Sequence, residues 1–288
     1  MKLAEFIYTV MLKPRPLRIA ANALLRTMLP RARRVNGALI YLNPDDPVVS
    51  GALTLGVYEN EEIAFFERVV EPEMAFVDVG ANVGLYTALG LNRMCYPSKI
   101  VCVEPDPVSA SFLQQTIRSN HKGNQSPKVS FYQVALSDKT GEVMLHKNPE
   151  NKGDNRIYSD PLCTDAIQVP SDTLDNLMQR EAIEEINLIK IDVLGAEAKV
   201  VAGAEGVLRK STDCVMMTEF WPYGLTNCGS SPSAYLSMLK DIGLSLYSLD
   251  GTTLRPVLDH QALIASCPGR VYRNLVGIKG RFQNKLCP

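Results

Sequence analysis

The sequence AFVDVGANVGLYT at residues 75–87 decides the fold of this chain. Its apolar beginning, residues 75–79, predicts a short strand that is covered on both faces of a sheet. Gly80 and Gly84 then predict a tight turn and the start of a helix that lies close to the sheet. Such a unit presents backbone N–H groups at the helix N-terminus, beside the crevice at the carboxyl edge of the sheet. We therefore expect a ligand with a nucleoside part to bind here.

The spacing of the turn indicates which nucleoside ligand it suits. A nicotinamide-binding turn follows G-x-G-x-x-G, and here Asn82 stands in place of the middle glycine. Asp78 precedes the turn, where a carboxylate would repel a pyrophosphate but suit the cationic end of S-adenosylmethionine. Glu104 ends the next predicted strand, at the spacing that lets an acid accept ribose hydroxyls in either ligand class. A plain structural turn is the alternative, and Asp78 together with Glu104 argues against it.

These residues resemble the FkbM-type methyltransferases, a branch of the class I S-adenosylmethionine-dependent enzymes. The matching segments are VDVGANVGLYT (77–87), VEPDP (103–107), VALSDKTGEV (134–143), SDTLDNL (171–177), IKIDVLGAEAKVVAGAEGVL (189–208) and TEFWPYGL (218–225). The lead-in GVYE at residues 56–59 is also similar to the family. The glycine turn is shared by many methyltransferases, whereas the segments at 189–208 and 218–225 are more specific to this branch.

The resemblance implies an α/β fold with a class I methyltransferase Rossmann-like, doubly wound and mostly parallel sheet and helices on both faces. The pattern of the first residues adds an N-terminal helical extension. Alternating strand and helix patterns after residue 75 predict the same architecture. We expect residues 1–36 to form the extension and residues 37–288 the methyltransferase domain. Residues 271–278 are the candidate for the antiparallel strand with which the family closes its sheet. Residues 148–170, rich in Asn, Asp and Pro, predict an excursion that is mobile or faces the substrate.

We assign donor binding to the turn and to the strand ends beside it: Asp78, Gly80, Asn82, Gly84, Glu104 and Asp138. Asp78 is expected near the methionine end of S-adenosylmethionine and Glu104 at its ribose. The resemblance implies that residues 135–138 lie near the adenine. Asp138 could instead cap a turn, since Asp commonly binds its neighbouring backbone.

Methyl transfer to oxygen requires that the acceptor hydroxyl be aligned and its proton removed. Asp192 is predicted to end a buried strand at the same sheet edge as Asp78, so we expect it to act as the base or as a metal ligand. Lys190, Glu197 and Glu219 are expected to shape the acceptor side. Glu197 could instead only stabilise a helix N-terminus. The family usually carries an acid where this chain has Leu194, so any contribution of that acid is missing.

Trp221, the single tryptophan, is expected either to stack on a sugar or to pack in the core. A divalent metal is left open as a second cofactor besides S-adenosylmethionine. The seven cysteines are scattered without a C-x-x-C pair, which suits a reducing cytoplasm better than a disulfide framework. The net charge of −1 gives no bias toward nucleic acid, and we expect no nucleic-acid partner.

The first 34 residues are strongly basic, with eight Lys or Arg and one acidic residue, Glu5. Glu5 interrupts the first apolar run, so the segment is a poor secretory signal, and no run is long enough to predict a membrane span. Residues 17–29 predict an amphipathic helix. Either this helix packs on the domain and covers the site, or residues 1–34 make peripheral contact with an anionic membrane. The expected location is the cytoplasm, with the membrane surface as the alternative.

Taken together, the sequence predicts an S-adenosylmethionine-dependent O-methyltransferase that acts on a hydroxyl of a sugar, glycan or secondary metabolite. A small molecule or glycan is accordingly the expected acceptor. Leu194 and the basic N-terminus leave a non-catalytic or membrane-associated S-adenosylmethionine-binding module as one alternative. The other is an NAD-dependent oxidoreductase, which Asn82 argues against.

Overall fold

The computed structural model describes residues 29–149 and 151–287 of the chain. The strands are β1 (Ala32–Val35), β2 (Ala38–Tyr41), β3 (Ala75–Val79), β4 (Lys99–Val103), β5 (Lys128–Tyr132), β6 (Ala135–Leu136), β7 (Gly141–Lys147), β8 (Asp165–Asp172), β9 (Leu188–Ile191), β10 (Cys214–Phe220), β11 (Ser245–Asp250), β12 (Thr253–Pro256) and β13 (Arg273–Lys279). The helices are α1 (Pro47–Leu55), α2 (Asn60–Val69), α3 (Leu85–Arg93), α4 (Pro107–Asn120), α5 (Leu174–Arg180), α6 (Glu197–Ala202), α7 (Glu205–Lys210), α8 (Pro222–Asn227), α9 (Pro232–Asp241), α10 (His260–Ala265) and α11 (Arg281–Leu286).

An eight-stranded sheet with the order β12-β11-β13-β10-β9-β3-β4-β5 forms the centre of the fold. The strands from β10 to β5 in this order are parallel, as the apolar sequences of β3 and β9 predict. The antiparallel strand expected at residues 271–278 is confirmed as β13. It lies between β10 and β11 rather than at an edge, and β12 adds a second antiparallel strand beside β11. The predicted α/β, doubly wound and mostly parallel architecture is confirmed.

Both faces of the sheet are buried under helices. One face carries Val77, Ile189 and Met216 and packs against α5, α6, α7 and α9. The opposite face carries Phe76 and Met217 and packs against the β1–β2 hairpin and α1, α2, α3 and α11. Because side chains alternate along a strand, the second face also carries the polar side chains of β3, β9 and β10 at their carboxyl ends.

The predicted N-terminal extension is described only in its last part. The helix expected at residues 17–29 lies, apart from its last residue, outside the described residues. From Ala32 the chain forms β1, which pairs with β2 in an antiparallel hairpin, so the end of the extension is a strand and not a helix. No helix in the described part of the chain is both long and apolar enough to cross a bilayer.

Several elements were not predicted, among them one helix and one strand. The first is α1, which begins in a stretch rich in Pro and Asp at residues 43–47. Asp46 is its N-cap and accepts a hydrogen bond from the Val49 N–H at 3.2 Å. Pro47 is the first helical residue, where the backbone N–H that proline lacks would have no partner within the helix. The second is β8, which pairs with β7 in a three-stranded sheet and shortens the expected excursion to residues 148–164.

Candidate functional site

The glycine turn after β3 has the backbone conformation that its sequence predicts. Gly80, Asn82 and Gly84 all have positive φ, at 78°, 48° and 88°. A Cβ on Gly80 would lie 2.0 Å from the backbone oxygen of Asp192, and one on Gly84 would lie 2.6 Å from Leu113 Cδ1. Sterics therefore require glycine at position 80, where the contact is with backbone, whereas at position 84 the positive φ is the stronger reason because the Leu113 side chain can shift. Asn82 belongs to the few residue types that tolerate this conformation.

Glu104 fixes the turn from the end of the neighbouring strand. Its Oε2 accepts a hydrogen bond from the Asn82 N–H at 2.9 Å, and its Oε1 accepts one from the Asp106 N–H at 2.8 Å. Burial raises the pKa of Glu104 to about 7. The side-chain Oδ1 of Asn82 is buried and has no hydrogen-bond partner among the described residues. A buried acceptor without a partner is uncommon and points to a donor supplied by a ligand.

Asp78 lies beneath the start of α3. Its Oδ2 accepts hydrogen bonds from the Thr87 N–H at 2.9 Å and the Thr87 hydroxyl at 2.6 Å. Burial raises the pKa of Asp78 to about 6, against the lowering effect of these bonds. The parallel register places Asp78 directly beside Lys190 on β9. Asp78 therefore lies between the glycine turn at residues 80–84 and Lys190.

A cleft of about 980 Å³, hereafter the donor cleft, opens at the carboxyl edge of the sheet. Four of the predicted donor residues line it: Asp78, Gly80, Asn82 and Glu104. Gly84 lies behind the turn, against Leu113. Asp138 is exposed, accepts a hydrogen bond from the Ser137 hydroxyl at 2.9 Å and does not line the cleft.

The walls of the donor cleft come from segments far apart in the chain. Pro105, Ala135 and Leu136 form an apolar wall next to Glu104. The excursion contributes Lys152, Gly153, Asn155 and Ile157, so this part of it faces the cleft.

A second cleft of about 450 Å³, hereafter the acceptor cleft, lies beside the first under the N-terminal end of α2. Glu59, Lys190 and Asp192 line both clefts, so the two meet at these side chains. The other polar residues that line the acceptor cleft are Glu62, Thr218, Glu219, Tyr272 and Asn274. Three of these residues were predicted from the sequence: Asp192, Lys190 and Glu219. Glu59 was not predicted as a site residue, although it lies in the lead-in GVYE at residues 56–59.

Lys190 contacts three side chains at the junction of the two clefts. Its Nζ lies 2.7 Å from Asp192 Oδ2, 4.0 Å from Glu59 Oε2 and 4.6 Å from the centre of the Tyr86 ring. The Tyr86 hydroxyl donates a hydrogen bond to the same Glu59 oxygen at 2.7 Å. Burial acts to lower the pKa of Lys190, but Asp192 and Glu59 raise it above its ordinary value, so Lys190 stays a cation.

Glu219 reaches the acceptor cleft from the end of β10. No hydrogen bond or ion pair engages its carboxylate among the described residues of the chain. Burial, and then the negative charges of Asp192 and Glu197, hold the pKa of Glu219 well above its ordinary value. Asn274 lies opposite Glu219 in the antiparallel register and donates a hydrogen bond to Glu62 Oε1. Glu219 is therefore free to bind a ligand group.

Glu197 does not face the acceptor side as expected. It is fully buried, lines neither cleft, and both its carboxylate oxygens accept from the Gly195 N–H, at 3.0 and 2.9 Å. Burial raises its pKa to about 7. It supports the turn after Asp192, in which Leu194 and Gly195 have φ of 52° and 104°. The turn points the Glu197 side chain inward, while Leu194 lines the donor cleft.

Trp221 also lies outside both clefts. It is 6% exposed and packs against Gly224, where a Cβ would lie 2.2 Å from the Trp221 ring, and against Tyr223. Packing is therefore the role that its surroundings support. Among the described residues, no group of three or more His, Cys, Asp or Glu side chains is arranged to hold a metal ion.

Comparisons with known proteins identify the family of this chain. The family described as "Methyltransferase FkbM domain" matches residues 78–241, more than half of the chain. The chain is 27% identical over 158 residues to the "2-O-methyltransferase NoeI" of Sinorhizobium fredii, a match that covers 49% of this chain and 61% of that protein. It is 27% identical over 154 residues to "Methyltransferase 1" of Beauveria bassiana, covering 46% of this chain and 60% of that protein. The chain thus spans about three fifths of these relatives.

Among solved structures, a methyltransferase FkbM from Methylobacillus flagellatus KT aligns with 91% of this chain and 59% of that chain. The TM-score is 0.45 and the sequence identity 15%, a similarity too distant to support an inference.

Proposed function

The chain belongs to the FkbM methyltransferase family, and on this premise we propose that it transfers a methyl group from S-adenosylmethionine to a hydroxyl of a sugar, glycan or other secondary metabolite. The observation that carries the proposal is the junction of two clefts at Glu59, Lys190 and Asp192. A transferase needs one site for each substrate, open to each other where the group is transferred.

The residues of the donor cleft fit S-adenosylmethionine. Glu104 stands where it would accept ribose hydroxyls, and the apolar wall of Pro105, Ala135 and Leu136 suits an adenine ring. The unpartnered Oδ1 of Asn82 is an acceptor for a polar hydrogen of the ligand. Asp78 supplies negative charge for the cationic amino acid end. When bound, S-adenosylmethionine supplies an electrophilic methyl group on a sulfonium centre.

We assign Asp192 as the general base that removes the proton from the acceptor hydroxyl. It lines both clefts, and only its Oδ2 is engaged by Lys190, which leaves Oδ1 for the hydroxyl. The ion pair with Lys190 holds the carboxylate in one orientation, which general base catalysis requires. Glu219, without a partner of its own, is placed to bind the acceptor from the far side of its cleft.

Two measurements test the proposal. Calorimetric titration should show binding of S-adenosylhomocysteine and none of NAD. A transfer assay with methyl-labelled S-adenosylmethionine against glycan, lipid and small-molecule pools, with and without a divalent metal, should label at least one pool. Binding of S-adenosylhomocysteine without label in any pool would favour a non-catalytic module. Binding of NAD alone would refute the donor assignment.

A further inference from the structure

The acceptor cleft has an unusual balance of charge. Four carboxylate side chains line it: Glu59, Glu62, Asp192 and Glu219. Lys190 is the single cationic side chain among the described residues that line it. The charge of Lys190 is already engaged by Asp192 at 2.7 Å and Glu59 at 4.0 Å. The cleft therefore has no free cation to offer an incoming ligand.

Burial strengthens this imbalance. A charge repels a like charge far more strongly in a partly desolvated cleft than in bulk water. An anionic ligand group would lie among these carboxylates and would lose its hydration without gaining a cationic partner. Burial and neighbouring negative charges raise the pKa values of Glu62 and Glu219, so the cleft already resists full ionisation of its own carboxyl groups and would resist a further negative charge.

The same lining is well suited to neutral hydroxyl groups. Ionised carboxylates accept hydrogen bonds from hydroxyls, and a protonated carboxyl group can also donate one. Asn274 is held by Glu62, so its amide keeps one orientation at the wall of the cleft. Tyr272 stands at the mouth with 52% of its surface exposed, where its ring can lie against the apolar face of a sugar. Met217, Leu249 and Val276 contribute apolar lining to the cleft.

We propose that the acceptor cleft binds a polyhydroxylated compound that carries no phosphate, sulfate or carboxylate group near the methylated hydroxyl. This inference rests on the proposed function, since it names the acceptor class of the same reaction. The discrimination is made by the excess of carboxyl groups over cations in the cleft, where Glu62 and Glu219 form no ion pair with any described residue.

The test uses the full chain, methyl-labelled S-adenosylmethionine and a cell extract separated by charge into neutral, cationic and anionic fractions. We expect the label in the neutral or cationic fraction, at least tenfold above the anionic one. Label mainly in the anionic fraction would overturn this inference and leave the proposed function intact. No label in any fraction, with S-adenosylhomocysteine binding confirmed, would overturn the proposed function and this inference with it.

A variant with one carboxylate fewer tests whether the carboxylates of the acceptor cleft exclude anionic acceptors. Glu62→Gln removes one carboxylate from the cleft, and Glu61→Gln removes one from the exposed side of the same helix. We expect Glu62→Gln to raise the ratio of anionic to neutral label at least threefold, and Glu61→Gln to leave this ratio unchanged. The thermal unfolding transition of each variant should confirm that it is folded. Equal ratios of anionic to neutral label in the two variants would then show that the cleft carboxylates do not select the acceptor.

Discussion

Replacement of Asp192 by Asn tests the proposed base with the smallest change of shape. The variant keeps the size of the side chain and an oxygen for Lys190, but it can no longer accept the hydroxyl proton. Loss of a general base typically slows a reaction by about 10²–10⁴-fold. We therefore expect the kcat of Asp192→Asn to fall by that order.

Donor affinity should change little. The hydrogen bonds that shape the donor turn come from Glu104 and Thr87 and not from the Asp192 side chain. The close contact of Gly80 with residue 192 is to a backbone oxygen, which the substitution leaves in place. The dissociation constant for S-adenosylhomocysteine, measured by calorimetry, should stay within several fold.

Stability must be followed in the same variant, because Lys190 loses its nearest negative charge. Removing one member of a buried ion pair costs about 3–5 kcal/mol, but Glu59 and the Tyr86 ring remain beside the lysine and should reduce the loss. Lys190→Met, with Asp192 retained, is the matched control for the broken pair. Full turnover by folded Asp192→Asn would refute the assignment of the base. An equal loss in both variants would assign the effect to the ion pair instead.

The remaining predictions concern the turn, pH and membranes. Gly80→Ala should lower the free energy of urea unfolding by about 1–2 kcal/mol for its left-handed backbone and by about 1–3 kcal/mol more for the clash with Asp192. Gly56→Ala, with φ of 68° and open space around it, should show only the first cost, and equal losses would contradict the clash. The pKa of folded Glu104, about 7, exceeds its unfolded value, so the folded state binds more protons between pH 4.5 and 7 and unfolding free energy falls as pH rises. Glu104→Gln should reduce this slope by up to about 1.4 kcal/mol per pH unit, and an unchanged slope would contradict the shift. If residues 1–34 touch membranes, the full chain should pellet with anionic but not neutral vesicles and be released by high salt; pelleting that ignores salt and lipid charge would exclude this.

The donor side of the site could be predicted because its rules are local. A glycine turn after an apolar strand fixes its own backbone, and neighbouring parallel strands end at one edge. Asp78, Asn82 and Glu104 therefore come together as expected. Asp138 does not join them, because the polar turn after the short strand β6 carries it to the surface.

The acceptor side could be predicted only in part. Asp192 and Glu219 follow from strand order, but Glu62 and Asn274 meet there through the packing of α2 and the antiparallel register of β13. Neither the packing of α2 nor the register of β13 can be predicted from the local sequence. The position of Glu197 was predicted wrongly because of the local backbone. Glu197 follows the end of β9 closely, but Leu194 and Gly195 have left-handed backbone conformations that turn its side chain inward.

Residue 194 is a natural starting point for redesign. Leucine is poorly suited to the left-handed backbone at this position, which disfavours most residue types by about 1–2 kcal/mol. Aspartate tolerates that conformation better, so the backbone at this position suits an acidic side chain. Leu194→Asp would place this carboxylate at the wall of the donor cleft without remodelling the loop. The loop thus already has the backbone conformation that an acidic side chain would need at the wall of the donor cleft.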